Sequence, residues 1–348
     1  MRQINLLGIG GSGMLPLAIL LRQAGFDVQG SDQNLNDDQL VTLSTNGVRV
    51  VSNDVDANLG GFNGLVDCLV ISPAIASHHP IVRRARRLNL PVVYRSQMLA
   101  RLLEGRQMIG VAGSHGKSTT VGMLIDIFRS AGMPFGYMIG AQLADMPPAR
   151  LGPQDSIFIF EACEAHGSLH DWHCAQAIVT SVDNEHDIHY GGFAELKAAF
   201  MGFVDRVPAS GTVVVCGDDP VVTHLLRNRP SGWTYGFHSS NRLRLKKQKN
   251  GPRLNVPGLD SPGQLLQDGQ LVGHVNLQVP GEHNELNAMA AFAMAVSLGV
   301  PARTALKALA EFVGVERRLQ PLGSFAGVRV FDDYAHHPTE IRASLSAV

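Results

Sequence analysis

Charge, cysteine and uninterrupted apolar sequence are all scarce in this chain. Charged residues make up 17% of the 348 residues, and 29 Lys and Arg nearly cancel 30 Asp and Glu, for a formal net charge of −1. Such a balance offers no field for capturing nucleic acid or an anionic membrane. The one basic cluster, Lys246, Lys247 and Lys249 beside Arg242 and Arg244, has no aromatic residue among its cations and reads as a solvated hairpin. The four cysteines, Cys68, Cys163, Cys174 and Cys216, form neither a CxxC pair nor a disulfide framework, which points to a reducing compartment. Residues 3–21 carry no charge, but Gly8, Gly10, Gly11, Gly13, Pro16, Asn5 and Ser12 interrupt that run and argue against a signal sequence or a membrane span. No repeat or low-complexity tract is present. The expectation is a cytoplasmic protein with no membrane insertion and no nucleic-acid partner, long enough for two or three domains.

Against this background the stretch GVAGSHGKSTT at 110–120 stands out. Residues 107–112 are mostly apolar and suit a buried strand, while Val121, Leu124, Ile125 and Phe128 recur at helical spacing over 119–131. A strand, a tight turn and a helix therefore follow in order, which is the context a phosphate-binding loop needs. Gly113 and Gly116 let backbone N–H groups turn inward around a phosphate, and the helix start adds free N–H groups and partial positive charge. Lys117 would then meet the β- and γ-phosphates, with Ser118 left to hold Mg²⁺. The general GxxxxGK[ST] pattern wants glycine where this chain has Val111, with Gly110 and Gly113 instead. A merely structural glycine turn is the competing reading.

Upstream, strand and helix patterns alternate: 4–9, a helix to about 24, 27–30, a helix near 37–46, 48–51, 66–71, then 80–88 and 91–94. This is the rhythm of a parallel sheet with crossover helices. Gly8, Gly10 and Gly13 satisfy GxGxxG between a strand and a helix, and Asp32 lies 19 residues beyond Gly13 at the end of the second strand. These are the parts of a dinucleotide fingerprint and of a Rossmann-like domain. A diphosphate site of some kind is favoured. An NAD-dependent oxidoreductase would also use these residues but leaves Lys117 idle.

A second unit runs from about 107 to 315. Strand patterns at 156–160 and 175–182 each end in a polar cluster, Glu161 after the first and Asp183 to His186 after the second. Functional residues of open α/β sheets gather at the carboxyl ends of strands. Glu161 and His186 near Lys117 and Ser118 make a candidate Mg²⁺ site, although imidazole is a less usual partner for Mg²⁺ than oxygen. Between them, Cys163, His166, His170, His173 and Cys174 have a spacing that could serve zinc. Gly167 weakens a helix there and no carboxylate base stands at a recognised spacing, so surface or substrate-lining histidines are favoured.

Residues 208–280 are rich in Gly, Pro and polar residues and read as a mixed sheet with hairpins, with strand-like pieces at 212–216 and 272–279. PGEHNELN at 280–287 then opens an apolar helix over 288–298. One of Asn284 and Asn287 could cap that helix, and an amide also suits an adenine edge. After a helix around 302–313, Arg317 and Arg318 sit in a loop, and a strand at 327–331 ends in DDYAHHP at 332–338, where another α/β domain begins.

These motifs together resemble the Mur ligase family. GIGGSGM at 8–14, GSHGKSTT at 113–120, Glu161, the cluster from Asp183 to His186, PGxHNxxN at 280–287, Arg317 with Arg318, and DDYAHHPTE at 332–340 follow in that family's order. The resemblance implies three α/β domains: a Rossmann-like UDP-sugar domain at 1–105, a central P-loop-type ATP-binding domain at 106–315, and the start of a C-terminal domain at 316–348. It also implies an ATP- and Mg²⁺-dependent acid–amino acid ligase of the bacterial cytoplasm, acting in peptidoglycan precursor synthesis. ATP phosphorylates the lactyl carboxylate of UDP-N-acetylmuramate, and the amine of L-alanine attacks the acyl phosphate.

By the same resemblance Gly113, Ser114, His115, Gly116, Lys117, Ser118 and Thr119 cradle ATP, Asn284 and Asn287 hold adenine, Arg318 reaches the phosphates and Asp333 contacts the ribose. Gly10, Gly11, Ser12, Gly13, Asp32 and Ser72 line the UDP site. Lys117, Glu161 and His186 are the catalytic set, and Ser118, Glu161 and His186 the metal ligands. The chain departs from the pattern in reading EACEAH at 161–166 where relatives show EADESD, and Thr180-Ser181 where they show Thr-Asn. The family's C-terminal domain needs on the order of a hundred further residues, an ordinary domain size, so its amino-acid site is expected to be incomplete here. A murein peptide ligase, or a nucleotide- or UDP-sugar-binding fragment without ligase activity, are the alternatives.

Overall fold

The structure is a computed structural model that describes residues 2–61, 64–143, 146–184, 190–227, 229, 232–247 and 263–348. Contacts divide the chain into two compact units, Met1–Arg106 with Gly136–Gly140 and Pro147–Gln154, and Gln107–Phe135 with Ala141–Met146 and Asp155–Val348.

In the first unit the strands Arg49–Val50, Asp27–Ser31, Gln3–Leu7, Cys68–Ile71 and Val92–Tyr94 form a parallel sheet in that spatial order. Gln3–Leu7 is first in sequence but central in space, so the loop after it lies at the point where the strand order reverses, the usual ligand position of an open α/β sheet. The helix Met14–Gln23 that follows buries Leu17, Ala18, Ile19, Leu20 and Leu21 completely. A helix apolar all round is a core helix. The uncharged run at 3–21 is thus a central strand, a glycine loop and a buried helix. Polar residues in the strands bond to the chain at 57–60: Asn5 donates to Asn58 Oδ1 at 3.1 Å, Ser31 to the same oxygen at 2.7 Å, and Gln29 to the carbonyls of Ala57, Asn58 and Gly60. These bonds, the Asp54 cap and the packing of Val55 and Leu59 on the core hold the short helix Val55–Leu59, which is absent from the sequence expectation because five residues are too few to show a helical repeat.

In the second unit the strand order is Gln270–Val275, Gly263–Gln267, Leu243–Lys246, Trp233–Gly236, Val213–Cys216, Gln176–Val179, Met108–Ala112 and Ile157–Glu161. Pairing is parallel from Leu243–Lys246 to Ile157–Glu161 and antiparallel among the first three. Of the basic cluster, Arg244 and Lys246 lie on a sheet strand, Lys247 just beyond it pairs with Glu282 at 2.6 Å, and Lys249 lies outside the described residues. The helices Lys117–Ser130, Glu282–Ser297 and Ala302–Glu311 pack against one another. Gly122 lets Val315, Leu143 and Phe312 close on the first of them, where a Cβ would stand 3.0 Å from Val315. Gly110 similarly admits Cys174 and Phe203, the latter from helix Phe193–Asp205. That helix too is missing from the sequence expectation, although Leu196, Ala199, Phe200, Phe203 and Val204 are buried at helical spacing. The C-terminal segment is an antiparallel ribbon, Gln320–Phe325 with Val328–Asp332, followed by the helix Pro338–Ala347. No described helix is long and apolar enough to cross a membrane.

Both tryptophans, Trp172 and Trp233, belong to the second unit, so their fluorescence reports its unfolding alone. Phe292 is fully buried in Glu282–Ser297. Phe292→Ala is expected to lower the stability of this unit by about 3–5 kcal/mol, read from the tryptophan-monitored urea transition. A loss under about 1 kcal/mol would mean that these helices do not form the core described.

Candidate active site

The strand Met108–Ala112 lies between Ile157–Glu161 and Gln176–Val179, so the tips of both neighbours flank the loop that follows it. The tip at 180–183 pins the loop. Ser114 N–H donates to Ser181 O at 2.9 Å and His115 N–H to Ser181 Oγ at 3.0 Å. Thr180 donates its hydroxyl to the His115 carbonyl, and Asp183 N–H donates to Ser114 Oγ at 2.9 Å. Ser181, where the chain departs from the family pattern, is therefore part of the loop's support. Gly113 and Gly116 have φ of 137° and 82°, and a Cβ would stand 2.1 Å from Thr180 Oγ1 at the first and 2.3 Å from Asn287 Oδ1 at the second. Both positions require glycine. The helix begins at Lys117, earlier than the expected 119, so Lys117 and Ser118 are its first residues.

Lys117 does not point into water. Its ammonium donates to the Gly113 carbonyl, to Ser114 O at 3.1 Å and to both carboxylate oxygens of Glu164 at 3.0 and 3.1 Å. The Glu164 side chain is 1% exposed and that of Lys117 14%. Burial by itself would push the ammonium toward neutrality, but the Glu164 carboxylate overcomes this and holds Lys117 charged. Sequence reasoning passed over Glu164, the carboxylate that survives in EACEAH. Glu161 ends its strand opposite Val111, and its charge also acts on Lys117. His186 lies outside the described residues.

A cavity of about 250 Å³ opens beside the loop, lined by His115, Gly116, Ser118 and Thr119 and, from far along the chain, Asn284, Asn287, Arg318 and Asp333. Asn284 and Asn287 stand in the first turns of Glu282–Ser297, which starts well before the expected 288 and is capped by Gly281 with no side-chain cap bond. Neither amide is the cap. Instead Asn284 donates to Pro280 O at 2.7 Å and Asn287 to Asn284 Oδ1 at 3.4 Å. His283 lines the same cavity, and burial lowers its pKa. Arg318 sits between two non-glycine residues with left-handed backbone, Arg317 at φ 58° and Leu319 at φ 49°. Asp333 accepts from Ala335 N–H at 3.0 Å and from the Ser344 hydroxyl at 2.5 Å.

The C-terminal segment reaches the phosphate loop itself. His115 Nδ1 lies 3.2 Å from Glu340 Oε1 and its Nε2 3.3 Å from Asp183 Oδ2. Burial alone would raise the Glu340 pKa, but His115, the His336 N–H and Arg318 together bring it down to about 2. The histidine-rich stretch is differently placed. It forms the turn Ala165–Asp171, broken by left-handed backbone at His166 and Gly167, while Cys174 is packed into the core with its thiol pushed up to about 12 by burial.

In the first unit, the loop after Gln3–Leu7 is braced by Asp32, whose Oδ2 accepts from Gly10 N–H at 3.0 Å, and by Gln39, which donates to Gly10 O at 2.8 Å. Gly13 precedes the helix Met14–Gln23, and Ser72 N–H donates to Leu7 O at 3.2 Å at the next strand tip. A Cβ on Gly13 would stand 1.9 Å from the Arg95 guanidinium. Arg95 opens the helix Arg95–Leu102, which the sequence expectation lacks; it brings a cation to a helix N-terminus suited to anions.

Residues 3–107 match the Mur ligase family, catalytic domain, and residues 111–295 the Mur ligase middle domain. The chain is 40% identical to a UDP-N-acetylmuramate–L-alanine ligase of Solidesulfovibrio magneticus, over 99% of this chain and 73% of that one. It is 36% identical to the protein of that name from Bdellovibrio bacteriovorus, over 99% and 74%. Among solved structures it resembles the UDP-N-acetylmuramate–alanine ligase of Thermotoga maritima, with a TM-score of 0.84 at 25% identity, covering 100% of this chain and 77% of that one. It also resembles the UDP-N-acetylmuramate:L-alanyl-gamma-D-glutamyl-meso-diaminopimelate ligase of Neisseria meningitides, with a TM-score of 0.80 at 26% identity, covering 91% and 100%.

Removing one partner of a buried ion pair strands the other charge, so Glu164→Gln is expected to destabilise the second unit by about 3–5 kcal/mol. Adding Lys117→Met to that variant should recover part of the loss, because the two charges are coupled. Additive losses in the tryptophan-monitored urea transition would show that the pair is not formed. Because its folded pKa is depressed, Glu340 contributes stability that is complete above its ordinary pKa of 4.5 and is lost as pH falls through about 2. The stability gap between the wild type and Glu340→Gln should hold from neutral pH to about 4.5 and narrow below it; a gap that stays open on further acidification contradicts the ion-pair assignment.

Proposed function

Because the chain belongs to the Mur ligase family, we propose that it joins L-alanine to UDP-N-acetylmuramate with ATP, in the bacterial cytoplasm, as a step of peptidoglycan precursor synthesis. The observation that carries this reading is the single cavity bringing the phosphate loop together with Asn284, Asn287, Arg318 and Asp333. A loop alone would fit many nucleotide-binding proteins; amides, a guanidinium and a carboxylate around the same space fit a whole nucleoside triphosphate. L-alanine is preferred over a peptide as the incoming amine because curated relatives at 36% and 40% identity carry the alanine ligase name, and among the solved structures the alanine ligase has the higher TM-score, 0.84 against 0.80.

In this reading the chain's own groups act mainly by position and charge, as phosphoryl transfer requires. Lys117 neutralises the terminal phosphates, the N–H groups at 116–118, which the Ser181 contacts do not take, turn toward them, and Asn284 and Asn287 receive the adenine. Arg318 approaches the phosphates and Asp333 the ribose. Ser118, a buried hydroxyl on the cavity wall, and Glu161, a carboxylate at the adjacent strand tip, suit a hard cation such as Mg²⁺. His186 is assigned as their partner. Bound there, Mg²⁺ would supply charge neutralisation at the phosphates. Gly10, Gly11, Ser12, Gly13, Asp32 and Ser72 take the UDP-sugar, with Arg95 as a further cation for its diphosphate. The domain reading that goes with this is 1–105 for the UDP-sugar, 106–315 for ATP, and 316–348 as the opening of the domain that receives the amino acid.

Phosphate release from ATP should require both UDP-N-acetylmuramate and L-alanine. L-alanyl-γ-D-glutamyl-meso-diaminopimelate should not replace L-alanine. Lys117→Ala should lower the rate by about three orders of magnitude or more, since charge neutralisation of the transferred group is lost. Release with the tripeptide alone would reassign the substrate, and release that survives Lys117→Ala would remove the phosphate-loop basis of the proposal.

A further inference from the structure

One group of metal-capable side chains takes no part in the roles above. His115 of the phosphate loop, Asp183 beyond the next strand tip and His337 at the start of the last helix offer ligand atoms that all lie within 4.8 Å of one another. Asp183 Oδ2 is the common point, 3.3 Å from His115 Nε2 and 3.7 Å from His337 Nδ1. Ligands of a four-coordinate zinc-type ion, at about 2.0–2.2 Å from the metal, stand about 3.3 Å apart. Two edges of the triangle are therefore close to the spacing required. The rings of His115 and His337 are stacked, with centroids 5.2 Å apart and planes inclined by 29°, and closing the third edge brings them slightly together.

The surroundings add an independent observation. His115 turns its other ring nitrogen to Glu340 Oε1 at 3.2 Å, and Glu340 is itself held by His336 N–H at 3.2 Å and faces Arg318 at 3.7 Å. Carboxylate–histidine–metal relays have this form, because the outer carboxylate fixes the tautomer and makes the inner nitrogen a better donor. Thr339 donates its hydroxyl to Asp183 Oδ2 at 2.7 Å and the Asn184 N–H donates to Oδ1 at 2.8 Å, which leaves a lone pair on each oxygen to an ion. His337 Nδ1 accepts a long bond of 3.4 Å from Thr339 N–H, which a metal would displace. His115, Thr339 and Glu340 also line the nucleotide cavity, so a fourth position would open toward it.

The geometry points to a divalent transition-metal site made of His115, Asp183 and His337, separate from the Ser118 and Glu161 position, whose open coordination position takes an anionic oxygen from the cavity. Two imidazoles and one carboxylate select a borderline ion such as Zn²⁺ or Co²⁺ over Mg²⁺. Occupancy would fasten the C-terminal segment to the phosphate loop. The site stands whether or not the chain is a ligase, since it needs none of the substrates.

Chelator-treated protein is titrated with Co²⁺ in excess Mg²⁺, which keeps the hard-cation position filled, and the visible d–d bands of low-coordinate Co²⁺ are followed. The expected result is one Co²⁺ per chain, displaced by Zn²⁺. Affinity should fall by at least about tenfold in His337→Gln and Asp183→Asn, and by about 10–100-fold in Glu340→Gln through loss of the outer carboxylate. His170→Ala and His173→Ala should bind as the wild type does. Tryptophan-monitored urea transitions certify that each variant is folded. The proposal is overturned if no such bands develop, if His337→Gln binds Co²⁺ unchanged, or if binding is lost in Glu161→Gln instead. Each of those results would leave the three residues as a hydrogen-bonded clasp around His115.

Discussion

A lysine ammonium held nearly out of water is the feature on which the rest of the second unit's site turns. Lys117 can stay charged there only because the Glu164 carboxylate and two loop carbonyls surround it. An unpaired charge at that depth would cost several kcal/mol. The arrangement ties three pieces of chain to one point: the loop whose carbonyls Lys117 binds, the helix it opens and the segment after Ile157–Glu161 that supplies Glu164. It also gives a reason for a carboxylate at 164 in a stretch where other family carboxylates have been replaced by Cys163 and His166. An ammonium held in this way is oriented and charged, with its three N–H groups taken by two loop carbonyls and Glu164.

Around that point the fold gathers residues that sequence separates widely. The parallel order of the central strands puts the tips after 161 and 179 on either side of the loop. Helix Glu282–Ser297 aims two amides at the loop, one of them close enough that Gly116 must lack a side chain. The C-terminal segment then returns with Arg318, Asp333 and Glu340, the last of these in contact with His115. A change in where that segment rests is therefore felt by the phosphate loop through His115 and through Asp183, which accepts from Thr339 and whose N–H bonds Ser114.

The signals read most directly were those carried by local backbone chemistry. Glycines at 113 and 116, the GxGxxG of the first unit and the strand tip at Glu161 can be located from sequence because a turn, a close approach and a strand end each demand particular residue types over a few positions. Helix starts were misplaced at Lys117 and Glu282, since the first turn of each is polar and carries no apolar stripe. Val55–Leu59 escaped notice because five residues, of which only Val55 and Leu59 pack on the core, are too few to show a helical repeat. Glu164 and Arg95 are different cases. Their meaning lies in what they face, an ammonium and a glycine cradle, and no spacing within their own segments announces it.

The amino-acid sequence by itself determined the alternation of strands and helices, the two glycine loops and the residue types able to hold a phosphate, because each depends on interactions within a few neighbouring residues. Tertiary structure alone decided that Lys117 is paired with Glu164, that Arg95 stands over Gly13, and that His115 is shared by Asp183 and Glu340. Those pairings link positions 47, 82, 68 and 225 residues apart. Contacts of that kind are set by strand order and helix packing, which act only once the chain has closed on itself.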